Sequence, residues 1–111
     1  MVAVDRLRLL VVPASQALPW RWDLAQLQLG CRDGWPRPGT AAWATRANEL
    51  ANRFCRERGR VALAFEGYTL VGASWSRDEG NPALFFGPYL MPQYQVPDVI
   101  DWLARAIRAP T

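Results

Sequence analysis

The stretch from residue 60 to residue 90 constrains the fold of this chain most, because it contains three consecutive strand patterns separated by two turn signals. Arg60–Phe65 alternates large and small side chains, as the period-two geometry of a β-strand requires. Glu66–Gly67 supplies a turn, and Tyr68–Ser76 is rich in β-forming residues. We therefore predict an antiparallel hairpin here.

A third strand is predicted to follow the hairpin. Residues 78–82 collect turn formers, and Ala83–Leu90 is again apolar. Pro88 has no N–H to donate to a neighbouring strand. The third strand is therefore expected to bulge or to lie at an edge of the sheet.

Hydrophobic spacing and capping residues predict the other elements. Residues 19–30 fit a helical spacing and also alternate as in a strand, but Pro19 near the start and Gly30 as a stop favour the helix. The remaining predictions are a first strand inside the sheet at Leu7–Val12, a connection over 13–19, a loop over 31–39, a helix from Thr40 to Gly59 and a last helix that begins at Pro97.

The order of these elements is strand, helix, helix, three antiparallel strands and helix. It predicts an α/β fold of the α+β type, in which helices pack on a mostly antiparallel sheet. At 111 residues, the chain is expected to form a single domain spanning residues 1–111.

The composition excludes several chemistries. The sequence has no histidine and only two cysteines, Cys31 and Cys55. We therefore predict no catalytic triad, no His- or Cys-rich metal site and no catalytic residues. No apolar run approaches the roughly 20 residues of a membrane-spanning helix, and the net charge of +3 is mild. We expect a cytoplasmic protein with no membrane partner and no nucleic-acid partner.

The sequence is rich in tryptophan, with six in all. Trp20 and Trp22 flank Arg21, and Trp35 lies in a loop that is rich in Pro and Gly. Aromatic side chains and Arg on loops are the residues that anchor protein interfaces. We predict that these four residues bind a partner, although the same tryptophans also suit a lid that folds back onto the sheet.

A second candidate site lies where a carboxylate and aromatic residues meet at the strand turns. A ligand pocket is predicted from Glu66, Tyr68, Trp75 and Phe86, with Glu79 as a further carboxylate. Aromatic faces beside a carboxylate suit a small cationic ligand. Solvated turn carboxylates are the simpler interpretation.

Three segments resemble a known family. Asp23–Leu27, Val61–Gly72 and Leu90–Gln95 are similar, in this order, to the first helix, the hairpin of strands two and three, and the end of strand four in the GNAT superfamily of acyl-CoA-dependent N-acetyltransferases. The resemblance covers the N-terminal two-thirds of that family's domain. It implies that family's packing of helices on a sheet, with acetyl-CoA as cofactor.

The loop that binds CoA in that family departs from its pattern here. The family reads Arg/Gln-x-x-Gly-x-Gly, and backbone amides at the next helix N-terminus bind the pyrophosphate. Gln95 matches the first position, but Asp98 and Ile100 stand where glycines are expected, and Pro97 lacks an N–H. We interpret Gln95 and Asp98 as a vestigial cofactor loop in a truncated GNAT-like fold, and expect weak anion binding.

These observations favour a small non-catalytic binding protein that acts through protein–protein interaction. Accessory factors and inhibitors carried by phages and plasmids are of this type. We expect a protein partner, a homodimer or both, and no cofactor. Two alternatives stay open: a minimal acyl-CoA-dependent N-acetyltransferase completed by dimerisation, and an aromatic-pocket binder of a small cationic ligand.

Overall fold

A computed structural model describes residues 4–33, 39–56, 59–77 and 84–108. Within them the chain forms four strands and three α-helices in the predicted order. Their bounds are β1 Arg8–Pro13, α1 Arg21–Asp33, α2 Ala41–Arg56, β2 Arg60–Glu66, β3 Thr69–Arg77, β4 Leu84–Leu90 and α3 Pro97–Arg108. The predicted α+β fold class is confirmed.

The four strands form one antiparallel sheet in the order β1-β2-β3-β4. The outer strands of the described sheet are therefore β1 and β4. The register between β3 and β4 shifts between Ala73 and Trp75, where three residues of β4 span two of β3. The extra residue lies at Gly87–Pro88, so the bulge and the edge position predicted for this strand are both confirmed.

Helices cover both faces of the sheet. One core contains buried residues of α1, α2, β2 and β3, among them Leu24, Leu50 and Trp75. The other contains α3 and the alternate residues of β2 and β3, among them Val71 and Leu103. Because successive strand residues point to opposite faces, the sheet separates the two cores.

Several predicted end signals have a clear structural role. The Oγ1 of Thr40 accepts a hydrogen bond of 3.2 Å from the N–H of Trp43, which caps α2. The turn between β2 and β3 is Gly67–Tyr68, one residue later than predicted, and Gly67 has a φ of +62°. Glycine adopts that conformation without a steric penalty.

Other boundaries differ from the prediction. Gly30 does not end α1, which continues to Asp33, because a glycine within a helix costs only about 1 kcal/mol and does not by itself stop it. Residues 14–20 form a 3₁₀ helix, Ala14–Trp20, where a plain connection was predicted.

The position predicted for the first strand is wrong. β1 was expected inside the sheet, but it pairs only with β2 among the described strands, and Leu9 and Leu10 are 42 % and 41 % exposed. An uninterrupted apolar run is typical of a strand with neighbours on both sides. Here the same pattern leaves apolar side chains at an edge.

Candidate functional site

A concave surface beside β1 forms a groove that we call the Trp20 groove. It has a volume of about 440 Å³ and is lined by Arg8, Leu9, Leu10, Trp20, Phe65 and Tyr68. It lies where the edge strand meets the end of β2 and the turn that follows it. The lining side chains are apolar or aromatic except for one cation.

Contacts within the groove hold its aromatic and cationic groups in place. The rings of Trp20 and Phe65 meet edge to face, with centroids 5.9 Å apart and planes at 64°. The guanidinium of Arg8 lies 5.9 Å from the centre of the Phe65 ring and donates a 2.8 Å hydrogen bond to the carbonyl of Gly67. Edge-to-face pairs and cation–π contacts are both favourable arrangements. The groove is therefore largely preformed.

Tyr68 contributes to the groove without packing into the protein. It stands on the turn after β2, and its side chain is 100 % exposed. The whole surface of this ring is therefore accessible, and a partner bound in the groove could bury it.

The three predicted partner-binding residues that the structure describes are divided between two aromatic contacts. Trp20 ends the 3₁₀ helix and lines the groove, whereas Trp22 stacks on Trp43 of α2, with ring centroids 5.2 Å apart. Positions two apart on a helix point in different directions, which separates the two rings. Arg21 lies 5.3 Å from the Trp22 ring centre and donates to the carbonyl of Leu18. Trp35 lies outside the described residues.

The structure does not bring the predicted ligand pocket together. Trp75 and Phe86 stack at 6.4 Å between ring centroids in the core that α1 and α2 cover. Glu66 instead accepts a hydrogen bond from the hydroxyl of Tyr94, which belongs to the core on the α3 face. Tyr68 is on the turn. Alternating strand positions place these groups on opposite faces; Glu79 lies outside the described residues.

The predicted cofactor loop lies at the N-terminus of α3. The side-chain Nε2 of Gln95 donates a 3.0 Å hydrogen bond to the carbonyl of Leu90, and Asp98 is exposed in the first turn. The N–H groups of Val99 and Ile100 both bond to the carbonyl of Val96, at 3.1 and 3.0 Å. These two amides are therefore already used within the chain.

A polar network around the buried Gln28 was missed by the sequence analysis. Gln28 is 2 % exposed, accepts a 2.8 Å bond from Nε of Arg46, and lies 3.4 Å from the hydroxyl of Tyr89. Arg46 also pairs with Glu49 at 2.9 Å. The network joins α1, α2 and β4. The sequence did contain one indication of this network: Gln28 falls on the apolar side of the helical pattern, and a buried polar side chain needs hydrogen-bond partners.

Asp23 lies at a second concave surface of about 380 Å³, which it lines with Gln26, Met91, Pro92 and Gln93. Although the residue as a whole is exposed, desolvation by its surroundings raises the pKa of the Asp23 carboxyl. Desolvation disfavours the ionised form of a carboxyl group.

The described residues contain no group of three or more potential metal ligands. Among the same residues, none of the helices combines the length and apolar character needed to cross a membrane. No family model, curated protein or solved structure matches this chain.

Proposed function

We propose that this chain is a small non-catalytic binding protein that acts through protein–protein contacts, with the Trp20 groove as its contact surface. The observation that carries the proposal is the preformed groove, in which half-buried Trp20 and Phe65 lie beside exposed Leu9, Leu10 and Tyr68 and one cation, Arg8. Aromatic residues and Arg are the types that dominate binding energy at protein interfaces.

The internal contacts of the groove favour binding. Trp20 and Arg8 are both held against Phe65, and Arg8 also bonds to Gly67. Side chains that are ordered before binding lose little conformational entropy when a partner arrives. The contact energy of these groups is therefore available to hold the partner.

The lining also indicates the chemistry of the partner. Arg8 is the only charged residue among the six that line the groove. A partner segment that inserts an apolar side chain beside Trp20 and brings a carboxylate towards Arg8 would match this surface in both polarity and charge.

The alternative of an acyl-CoA-dependent N-acetyltransferase has less support. The first turn of α3 has its Val99 and Ile100 amides bonded to Val96, and Pro97 has no N–H. Pyrophosphate binding at a helix N-terminus relies on free amides. The alternative of a cation-binding pocket also has less support, since Glu66 bonds to Tyr94 of the core on the α3 face, whereas Trp75 lies in the other core.

The test compares partner binding by two groove variants. Tyr68→Ser removes a ring that makes no burying contact, and Arg8→Gln removes the groove's charge. Proteins that co-purify with the tagged chain from its native host would be identified, purified separately and titrated by calorimetry. We expect each variant to weaken the binding of the reconstituted partner by about thirtyfold or more, the range of an interface hot spot.

Ile100→Ser is the matched control, because Ile100 is a 40 % exposed aliphatic residue on α3, outside the groove. It should leave the affinity unchanged. A purified partner that binds Tyr68→Ser and Arg8→Gln as tightly as the original chain would overturn the proposal, as would the absence of any protein partner that binds in purified form.

A further inference from the structure

The outer side of β1 carries backbone groups whose direction can be derived from the register. The N–H of Ala14 bonds to the carbonyl of Gly59 at 2.9 Å, and this pair continues the register in which Pro13 faces Arg60. In an antiparallel ladder, hydrogen-bonded positions alternate along the strand. Val12, Leu10 and Arg8 therefore bond to β2.

The intervening residues of β1 point their backbone groups away from β2. Leu9 and Val11 each present an N–H and a C=O at this side, where the described residues contain no further strand. This row of outward N–H groups ends at Leu7 and Pro13, because the N–H of Leu7 already bonds to the carbonyl of Val4 and Pro13 has no N–H. Two donors and two acceptors thus lie between these limits.

The middle of this edge, between Arg8 and Pro13, lacks the features that prevent strands from pairing. The segment from Leu9 to Val12 has no proline and no charged residue, and its pairing with β2 is regular. β4 is different, since it contains Pro88 and a register shift, and Arg108 lies 5.3 Å from the ring centre of its Phe85. Proline, bulges and charged side chains protect an edge.

We propose that a second copy of the chain adds to this edge, with the two β1 strands antiparallel about a two-fold axis at Leu10. Leu9 then faces Val11 of the second copy, and Val11 faces Leu9. Each of these pairs exchanges two N–H···O=C bonds, so all the outward donors of the segment are satisfied. The two sheets of four strands become one sheet of eight.

The side chains on this edge are compatible with that register. Leu10 meets Leu10, and Leu9 meets Val11, so the exposed Leu9 and Leu10 side chains are covered by aliphatic side chains of the second copy. Arg8 faces Val12 rather than a second cation. The two Arg8 side chains are four strand positions apart, about 13 Å along the strand, which exceeds the Debye length of about 8 Å at physiological salt.

The second copy also reshapes the Trp20 groove, because it covers Leu9 and Leu10 of the lining, and the part left to a protein partner is formed by Arg8, Trp20, Phe65 and Tyr68. Arg8, Leu9 and Leu10 form the side of the groove at the sheet edge. In the proposed register, Val12 of the second copy lies beside Arg8 and adds an apolar wall there. Each dimer would therefore carry two grooves, both built from residues of two chains.

The first experiment measures mass by analytical ultracentrifugation over a concentration series. Pairing of short strands buries less area than a standard interface, so the dimer is expected to dissociate on dilution. Leu10→Lys places two like charges at the axis and should leave only monomer. Ile100→Lys changes a residue of matched exposure on α3 and should dimerise like the original chain.

The second experiment tests the register by disulfide formation. At a non-hydrogen-bonded antiparallel pair the Cα atoms are roughly 4.5 Å apart, within the range that a disulfide bridges. Leu10→Cys should therefore form a covalent dimer under mild oxidation. Leu9→Cys should not, because its counterpart lies roughly 8–9 Å away. The original chain, with Cys31 and Cys55, is the reference for background cross-linking.

Three results would overturn the dimer: a monomeric mass at every concentration, a dimer that Leu10→Lys does not disrupt, or cross-linking through Leu9→Cys instead of Leu10→Cys. Circular dichroism of each variant verifies its fold. All of these measurements use the purified chain alone, whereas Tyr68→Ser tests partner binding. A failure of the dimer and a failure of the proposed function are therefore distinguishable.

Discussion

The Nε of Arg46 donates a 2.8 Å hydrogen bond to Oε1 of Gln28, and this bond links α2 to an almost fully buried side chain of α1. Gln28→Leu would leave the Arg46 donor without that acceptor in a partly buried position. We expect a loss of about 1–3 kcal/mol in the free energy of unfolding, measured by urea denaturation. Gln26→Leu, on the less buried side of α1, is the control. Equal effects of the two variants would show that the network adds no stability.

Gly59 is expected to be intolerant of any side chain. A Cβ at this position would overlap the backbone carbonyl oxygen of Ser76, and backbone atoms cannot move aside as a flexible side chain can. We predict that Gly59→Ala lowers the free energy of unfolding by roughly 2–3 kcal/mol. A Cβ at Gly39 would meet no atom within 4 Å, and the backbone φ of +89° is the only source of strain. Gly39→Ala should therefore lower the free energy of unfolding by only about 1 kcal/mol. The reverse ranking in thermal denaturation would contradict the packing at Gly59.

The cap of α2 gives a further prediction. Thr40→Ala removes the hydroxyl that accepts from the N–H of Trp43, and should cost about 1 kcal/mol of stability. Thr45→Ala makes the same chemical change at an exposed position within α2 and should be neutral or slightly stabilising, because Ala has the higher helix propensity. Chemical denaturation of both variants measures the difference. Equal loss at both positions would argue against the cap.

Asp23 predicts a particular pH dependence of stability. Its pKa is raised by desolvation, so between the unfolded value of 3.8 and the higher folded value the native state binds more protons than the unfolded state. The contribution of protonated Asp23 to stability is therefore fully present below pH 3.8 and is lost as the pH rises through the pKa of the folded state. Asn does not ionise, so Asp23→Asn does not undergo this loss. The melting temperature of Asp23→Asn minus that of the original chain should therefore increase as the pH rises from about 3 to about 6.

Asp98→Asn, in the first turn of α3, provides the reference for that experiment. A difference in melting temperature between Asp23→Asn and the original chain that stays constant with pH, or falls as the pH rises, would contradict the predicted direction.

Titration with acetyl-CoA tests the enzyme alternative directly. The Val99 and Ile100 amides are bonded to Val96, so we expect no saturable heat of binding in calorimetry. Saturable binding of acetyl-CoA would favour the acetyltransferase over the non-catalytic binding protein.

Much of the fold was predictable because the hydrophobic period differs between strands and helices. The hairpin, α2 and α3 were placed correctly, since Gly67, Thr40 and Pro97 mark their ends by chemistry that acts locally. The edge position of β1 was not predictable from its sequence. An apolar run has the same appearance whether its outer neighbour belongs to the same chain or to none.

The site was predicted only in part. Trp20 was identified, but Arg8 was not, because its place in the groove depends on the pairing of β1 with β2. The bond between Gln28 and Arg46 joins residues 18 positions apart, and that between Gln28 and Tyr89 joins residues 61 positions apart. Such contacts follow from the packing of helices on the sheet, which local spacing does not specify.

The unequal protection of the two sheet edges limits the size of any assembly. Association through β1 about a two-fold axis uses the same surface on both copies, so no open β1 remains. The outer strands are then the two copies of β4, where Pro88 and the register shift oppose further pairing. Growth would therefore stop at two chains, and a feature that looks like an aggregation hazard in the monomer would give a closed complex rather than a fibre.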